Sequence, residues 1–299
     1  MAQPSHTNDR SRWFSLVENG RLADLKDLVR ANPGISVEWV KGDNKTALML
    51  AAEKGHSNIV SWLINEKNAN VIGVDTHGNT LLHLAARSSS LNTLKLCLEQ
   101  IPKGLDPDAL NRQMQTPLMN ELQARQSVER VQALLDAGAN PAHPFNQPIG
   151  IACRRNSHTI LPLLVEAGAD ISHAFDADRH DDWRWSFPLP EAAQNASLEC
   201  VRWLLKAGAN PQERNERGDN ALGCVAMCRT SLQSPEVALA LLEAGTNPLN
   251  ENLQGKRAID IADETADPQT HALIKRYTEH ALLSLQTPGN LPSPAKHRL

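Results

Sequence analysis

The densest collection of chemically capable side chains lies between Ile171 and Ser186, in the stretch ISHAFDADRHDDWRWS. His173, Asp176, Asp178, His180, Asp181 and Asp182 are all metal-ligand types. Calcium loops and zinc sites place such donors at set intervals, so that one turn of backbone delivers them to a common centre. These six follow neither interval. The stretch reads as a solvated acidic loop, and neither a metal nor a cofactor is expected.

Other reactive types are similarly dispersed. Cys97, Cys153, Cys200, Cys224 and Cys228 are an odd number with no CxxC pair, which suits a reduced, cytoplasmic chain better than a disulfide framework. Cys224 and Cys228, four residues apart, read as small apolar residues on one helix, since no further ligand accompanies them. Trp62 and Trp203 each directly precede a Leu-containing apolar pair and read as core. The chain holds no GxGxxG, P-loop, GxSxG or HExxH pattern, and its eleven histidines are scattered. The reading is therefore not an enzyme. An active site at the 171–186 stretch is kept as an alternative.

That stretch has the composition of a contact surface. Phe175, Trp183 and Trp185 are three of only eleven aromatic residues, and Arg179 and Arg184 sit among them. Trp and Arg carry much of the binding energy at protein interfaces. Together with His143, Arg154 and Arg214 they form the candidate partner-binding set, the competing reading being tryptophans folded back over helix ends. The formal net charge of −4 lacks the basic bias of a nucleic-acid binder. No stretch approaches the roughly 20 apolar residues of a membrane-spanning helix. The expected partner is another protein, bound by a monomer.

The elements that must position these residues repeat. Ala137-Gly138-Ala139-Asn140 recurs as Ala167-Gly168-Ala169-Asp170, Ala207-Gly208-Ala209-Asn210 and Ala244-Gly245-Thr246-Asn247, each after an apolar pair. This is a helix closing on a left-handed Gly. A second phrase reads Thr46-Ala47-Leu48-Met49-Leu50-Ala51-Ala52, then Thr80-Leu81-Leu82-His83-Leu84-Ala85-Ala86. Weaker copies start at Thr116, Gln147, Phe187, Asn220 and Arg257, so successive starts lie 34, 36, 31, 40, 33 and 37 residues apart. The Thr can cap a helix, Pro is tolerated in a first turn, and paired Ala keep one face thin. Helix pairs this short cannot bury an apolar stripe alone and must stack.

The pattern resembles the ankyrin repeat, whose T-P-L-H-x-A signature the Thr80–Ala86 copy matches except at Leu81. The resemblance covers about nine-tenths of the chain. It implies an all-α solenoid of stacked helix pairs, six to seven repeats plus capping helices, over residues 11–283; the polar stretch 1–10 and the Pro-containing, apolar-poor stretch 284–299 are expected to be disordered. It also implies that His83 is structural, and that the 171–186 insertion falls at a hairpin tip beside a concave binding groove. Tips at His77, Gln113, His143, Arg214 and Lys256 share that geometry. Glu121 stands where the paired Ala belongs, so a distorted first helix is expected in that repeat, a buried functional Glu being the alternative. The implied function is a non-catalytic protein-binding module, of inhibitor or immunity type. The alternative is a secreted bacterial effector that binds a host protein, which would place it in the host cell.

Overall fold

A computed structural model describes residues 6–142, 148–171, 187–228, 233–265 and 267–286. They fold as two compact units, Met1–Asn140 and Pro141–Leu299. Among the described residues the regular structure is helical, with only three isolated β-bridges.

In the first unit the inner helices α1 (His6–Glu18), α3 (Ala47–Lys54), α5 (Leu81–Arg87) and α7 (Pro117–Ala124) pack in order. Each is followed by an antiparallel partner: α2 (Leu22–Ala31), α4 (Ser57–Asn65), α6 (Leu91–Leu98) and α8 (Val128–Asp136). The second unit repeats the plan. Its inner helices are α9 (Pro148–Arg154), α11 (Pro188–Gln194), α13 (Ala221–Ala226) and α15 (Ala258–Thr265). Its outer helices are α10 (Leu161–Glu166), α12 (Leu198–Lys206), α14 (Ser234–Glu243) and α16 (Pro268–Gln286). Seven of the eight pairs start where the Thr-like phrase predicts, the first pair having no such phrase. Among the described residues, the first and last helices reach His6 and Gln286.

Local chemistry explains these elements. The hydroxyls of Thr46 and Thr116 accept the amides of Met49 and Met119 at 3.2 and 3.3 Å, and the Asn220 side chain accepts that of Gly223 at 3.0 Å. Each cap satisfies one of the donors a helix start leaves open. At the other end, the amides of Ala139, Ala169, Ala209 and Thr246 reach back to Leu134, Leu164, Leu204 and Leu241 at 3.0, 2.8, 2.9 and 3.0 Å. That is the Schellman closure read from the Ala-Gly-Ala phrase.

Thin inner helices let the repeats approach closely. Ala51, Ala52, Ala85, Ala86, Ala192 and Ala193 are all fully buried. His83, also fully buried, ties two repeats together. Its Nδ1 accepts the Thr80 amide at 3.1 Å, which leaves Nε2–H to donate to the Gln115 carbonyl at 2.8 Å. Burial holds this imidazole below its ordinary pKa.

Glu121 does not distort its helix, as the sequence had suggested; α7 is a regular eight-residue helix. The carboxylate is fully buried and meets the Arg130 side chain at 2.6 Å, with the Ser127 amide at 3.2 Å. Arg130 Nη2 donates to the Ala85 and Ala86 carbonyls, both at 2.9 Å, so the pair caps the end of α5. A charge in the Ala seam is tolerated because its counter-charge enters the same seam from α8. Sequence spacing gave no sign of this partner, nine positions away.

The N-terminal pair closes the stack with aromatic packing. Trp13 is fully buried, its ring centroid 6.1 Å from that of Trp62 at an interplanar angle of 51°. Trp62 is core, as expected. Trp203, at the matching position of α12, is only half buried and departs from the core reading. A second departure concerns the Cys224 and Cys228 pair. Helix α13 stops at Ala226, so the two do not share one helix, and the half-buried Cys228 thiol donates instead to the Gln194 carbonyl at 2.7 Å. Cys224 is fully buried, and its surroundings push its thiol well above the ordinary range.

Candidate partner-binding surface

Where its residues are described, the connection between one outer helix and the next inner helix folds into a hairpin finger. Four of the described fingers are held by a carboxylate or amide that accepts two backbone N–H groups, while the first closes on backbone bonds between Lys41 and Lys45 and between Asn44 and Lys41. Asp75 accepts those of His77 and Asn79, both at 2.8 Å, and Asn111 those of Gln113 and Gln115 at 2.9 and 3.0 Å. In the second unit Asn215 and Asn252 do the same for Arg217 and Asp219, and for Gln254 and Lys256. Side chains that bond their own backbone two residues on are the chemistry of tight turns.

Neighbouring fingers are then bonded edge to edge. The Thr76 amide donates to Asp43 O at 2.9 Å, and the Arg112 amide to His77 O at 2.9 Å. Leu253 donates to Arg217 O at 3.0 Å in the second unit. Side-chain amides add rungs, with Asn111 donating to Asn79 at 3.0 Å and Asn252 to Asp219 at 2.7 Å. Gly78 and Gly218 sit at the rungs with φ of 75° each. A Cβ there would stand 3.0 Å from the Arg112 amide and 2.9 Å from the Leu253 amide. The described fingers within each unit are therefore preformed against their neighbours, which costs little entropy when a ligand binds.

Two members of the candidate set lie in the described residues. Arg154, at the end of α9, pairs with Glu191 of α11 at 3.4 Å. Burial raises the Glu191 pKa, Arg154 opposes the rise, and nearby Glu216 adds to it. Arg214 is exposed on its finger and donates to the Glu251 carbonyl at 3.3 Å and to the Asn250 side chain. Both arginines thus already serve as ties between repeats. His143, Phe175, Arg179, Trp183, Arg184 and Trp185 lie outside the described residues, as does the acidic cluster from His173 to Asp182. Among the described residues no group of three or more His, Cys, Asp or Glu side chains is placed to hold a metal ion, and no helix is long and apolar enough to cross a membrane.

Sequence reasoning missed one feature of this surface. Ile72, Val74 and Leu110 are 56%, 48% and 36% exposed on adjacent fingers. The signal for two of the three was present as the apolar run Val71-Ile72-Gly73-Val74.

Known proteins with the same organisation match along most of the chain. A family profile described as ankyrin repeats in three copies matches residues 14–109, and a second, for ankyrin repeats in many copies, matches 189–242. The ankyrin repeat protein nuc-2 of Neurospora crassa is 24% identical over 235 residues, 69% of this chain and 22% of its own length. An intracellular phospholipase A2 of Caenorhabditis elegans is 26% identical over 211 residues, 70% of this chain and 16% of its own. The chain thus spans under a quarter of either relative. The solved ankyrin repeat domain of Bcl-3 superposes with a TM-score of 0.57 at 23% identity, over 78% of this chain and 99% of that one, and so shares its fold. Ankyrin repeats are in general non-catalytic scaffolds that bind other proteins. With the Thr-led inner helices, the Gly-closed outer helices and the bonded fingers all in place, this chain belongs to the ankyrin-repeat family.

Proposed function

We propose that this protein is a non-catalytic module that binds one partner protein through its fingers and the adjoining ends of its inner helices, acting as an inhibitor by occlusion. The observation that carries the reading is the bonding of finger to finger. Edge-to-edge amides fix the described fingers against one another before any ligand arrives. The 171–186 insertion belongs to this proposal as its anchor, through Phe175, Arg179, Trp183, Arg184 and Trp185, with His143, Arg154 and Arg214 alongside. The protein acts as a monomer. The effector reading uses the same surface and differs only in where the partner resides.

Affinity purification from the organism that makes the protein, with the wild-type chain and a Trp183→Ala/Trp185→Ala variant, tests both levels. The wild type is expected to retain one protein in stoichiometric amount, and the double variant to lose it. Retention of the same protein by the double variant removes the insertion as anchor. If the wild type retains nothing, the module reading itself fails. Assay of the partner's own activity with and without the chain then separates inhibitor from adaptor.

A further inference from the structure

Val40, Val74 and Leu110 occupy one position in three successive fingers of the first unit, each directly before the residue that opens the turn. The alternation along the second finger shows which way this position faces. Val71 is 7% exposed, Ile72 56%, Val74 48% and Asp75 3%, so Ile72 and Val74 point outward. The tip bonds from Thr76 to Asp43 and from Arg112 to His77 keep the fingers in register. The three side chains thus form a row, with Ile72 beside it. Single exposed apolar residues need no explanation, whereas a row at one repeated position does. Its first member, half-buried Val40, also lines a pocket of about 430 Å³ with Phe14, Ser15, Glu18 and Lys41.

Charge flanks the row differently on its two sides. On the tip side the exposed ionisable groups are Lys41, which pairs with Glu18, together with His77 and Arg112. The acids there do not present charge: Asp75 is buried in its turn and Asp43 is neutralised by Lys45 at 3.0 Å, whereas a carboxylate that accepts a backbone amide keeps its charge. Two residues before the row, Glu38 and Asp108 take the equivalent of the Ile72 position, with Asp106 nearby. Glu38 and Asp108 accept the Asn70 and Asn140 amides at 2.9 and 2.8 Å. An apolar band therefore runs between a basic and an acidic edge.

We propose that this band is the docking line for an amphipathic helix of the partner, with carboxylates on the flank facing Lys41, His77 and Arg112 and basic residues on the other. The inference rests on the binding-module reading and specifies its ligand chemistry. Packed helices stack at about 8–10 Å, which sets the spacing of the row. A helix rising about 1.5 Å per residue meets that spacing with apolar residues at i, i+7 and i+14. An extended strand turns every second side chain away and cannot address an apolar centre and two charged flanks at once.

The test uses a display library of helix-forming peptides, randomised on one face and selected on the full chain. Enriched peptides are expected to carry the apolar stripe with acids on one flank. Their affinity should fall at least tenfold against Val74→Asp/Leu110→Asp, whose melting temperature should match the wild type because both side chains are exposed. Arg112→Glu should shift the enriched flank from acidic toward basic. Enriched peptides insensitive to the double variant, or lacking a helical stripe, overturn the docking line and leave the module reading standing. A folded chain that enriches no peptide also overturns it. The module reading fails separately, if the wild-type chain retains no protein in the purification above.

Discussion

At the scale of single residues, three buried polar groups decide more than their number suggests. Removing one partner of a buried ion pair leaves an uncompensated charge, so Glu121→Ala should cost about 3–5 kcal/mol. Arg130 already has one unpaired nitrogen, Nη1, and would then keep only the Ala85 and Ala86 carbonyls. Replacing both as Glu121→Ala/Arg130→Leu should recover most of that loss, as read by urea unfolding; if it recovers none, the pair is not the source of the cost. His83 gives a pH signature. Burial holds its folded pKa below the ordinary histidine value of about 6.5, so the unfolded chain takes up a proton that the folded chain refuses. The stability this contributes is complete above about pH 6.5 and falls as pH drops toward the folded pKa, by at most about 1.4 kcal/mol per unit. Wild type should therefore lose more stability between pH 7 and pH 5 than His83→Gln. Equal losses would show that His83 is not held neutral by the fold.

At the scale of elements, caps and fingers carry the predictions. Trp13 of α1 is fully buried against Trp62, and truncating a large buried aromatic costs about 3–5 kcal/mol. Trp13→Ala should unfold the first repeats below the main transition, visible as a split between Trp62-sensitive fluorescence and circular dichroism. A single coincident transition with unchanged midpoint would contradict the capping role. Gly218→Ala forces a Cβ to 2.9 Å from the Leu253 amide at positive φ, a strain of roughly 1–3 kcal/mol. A loss under a few tenths would mean that the finger relaxes freely.

Elements were also where the sequence could be read furthest. The Thr-like starts and the Ala-Gly-Ala endings lie where inner helices begin and outer helices end, because both phrases encode backbone chemistry that acts within a turn. What depends on contacts across repeats was not legible. Arg130 reaches Glu121 and α5 only after stacking, Trp62 is sealed by a helix 49 residues earlier, and α13 stops short of Cys228. The apolar row escaped notice for the same reason. Val40, Val74 and Leu110 are 34 and 36 residues apart, and only finger-to-finger bonding makes them neighbours.

At the scale of the molecule, the central claim is that partner recognition belongs to the fingers and inner-helix ends, leaving the outer helices as support. Hydrogen–deuterium exchange of the chain with and without its purified partner tests this directly. The account predicts new protection at fingers 38–46, 72–80 and 108–116 of the first unit and in the 171–186 stretch, with the outer helices α4, α6, α12 and α14 unchanged. Protection confined to those outer helices, with every finger exchanging as in the free chain, would contradict it.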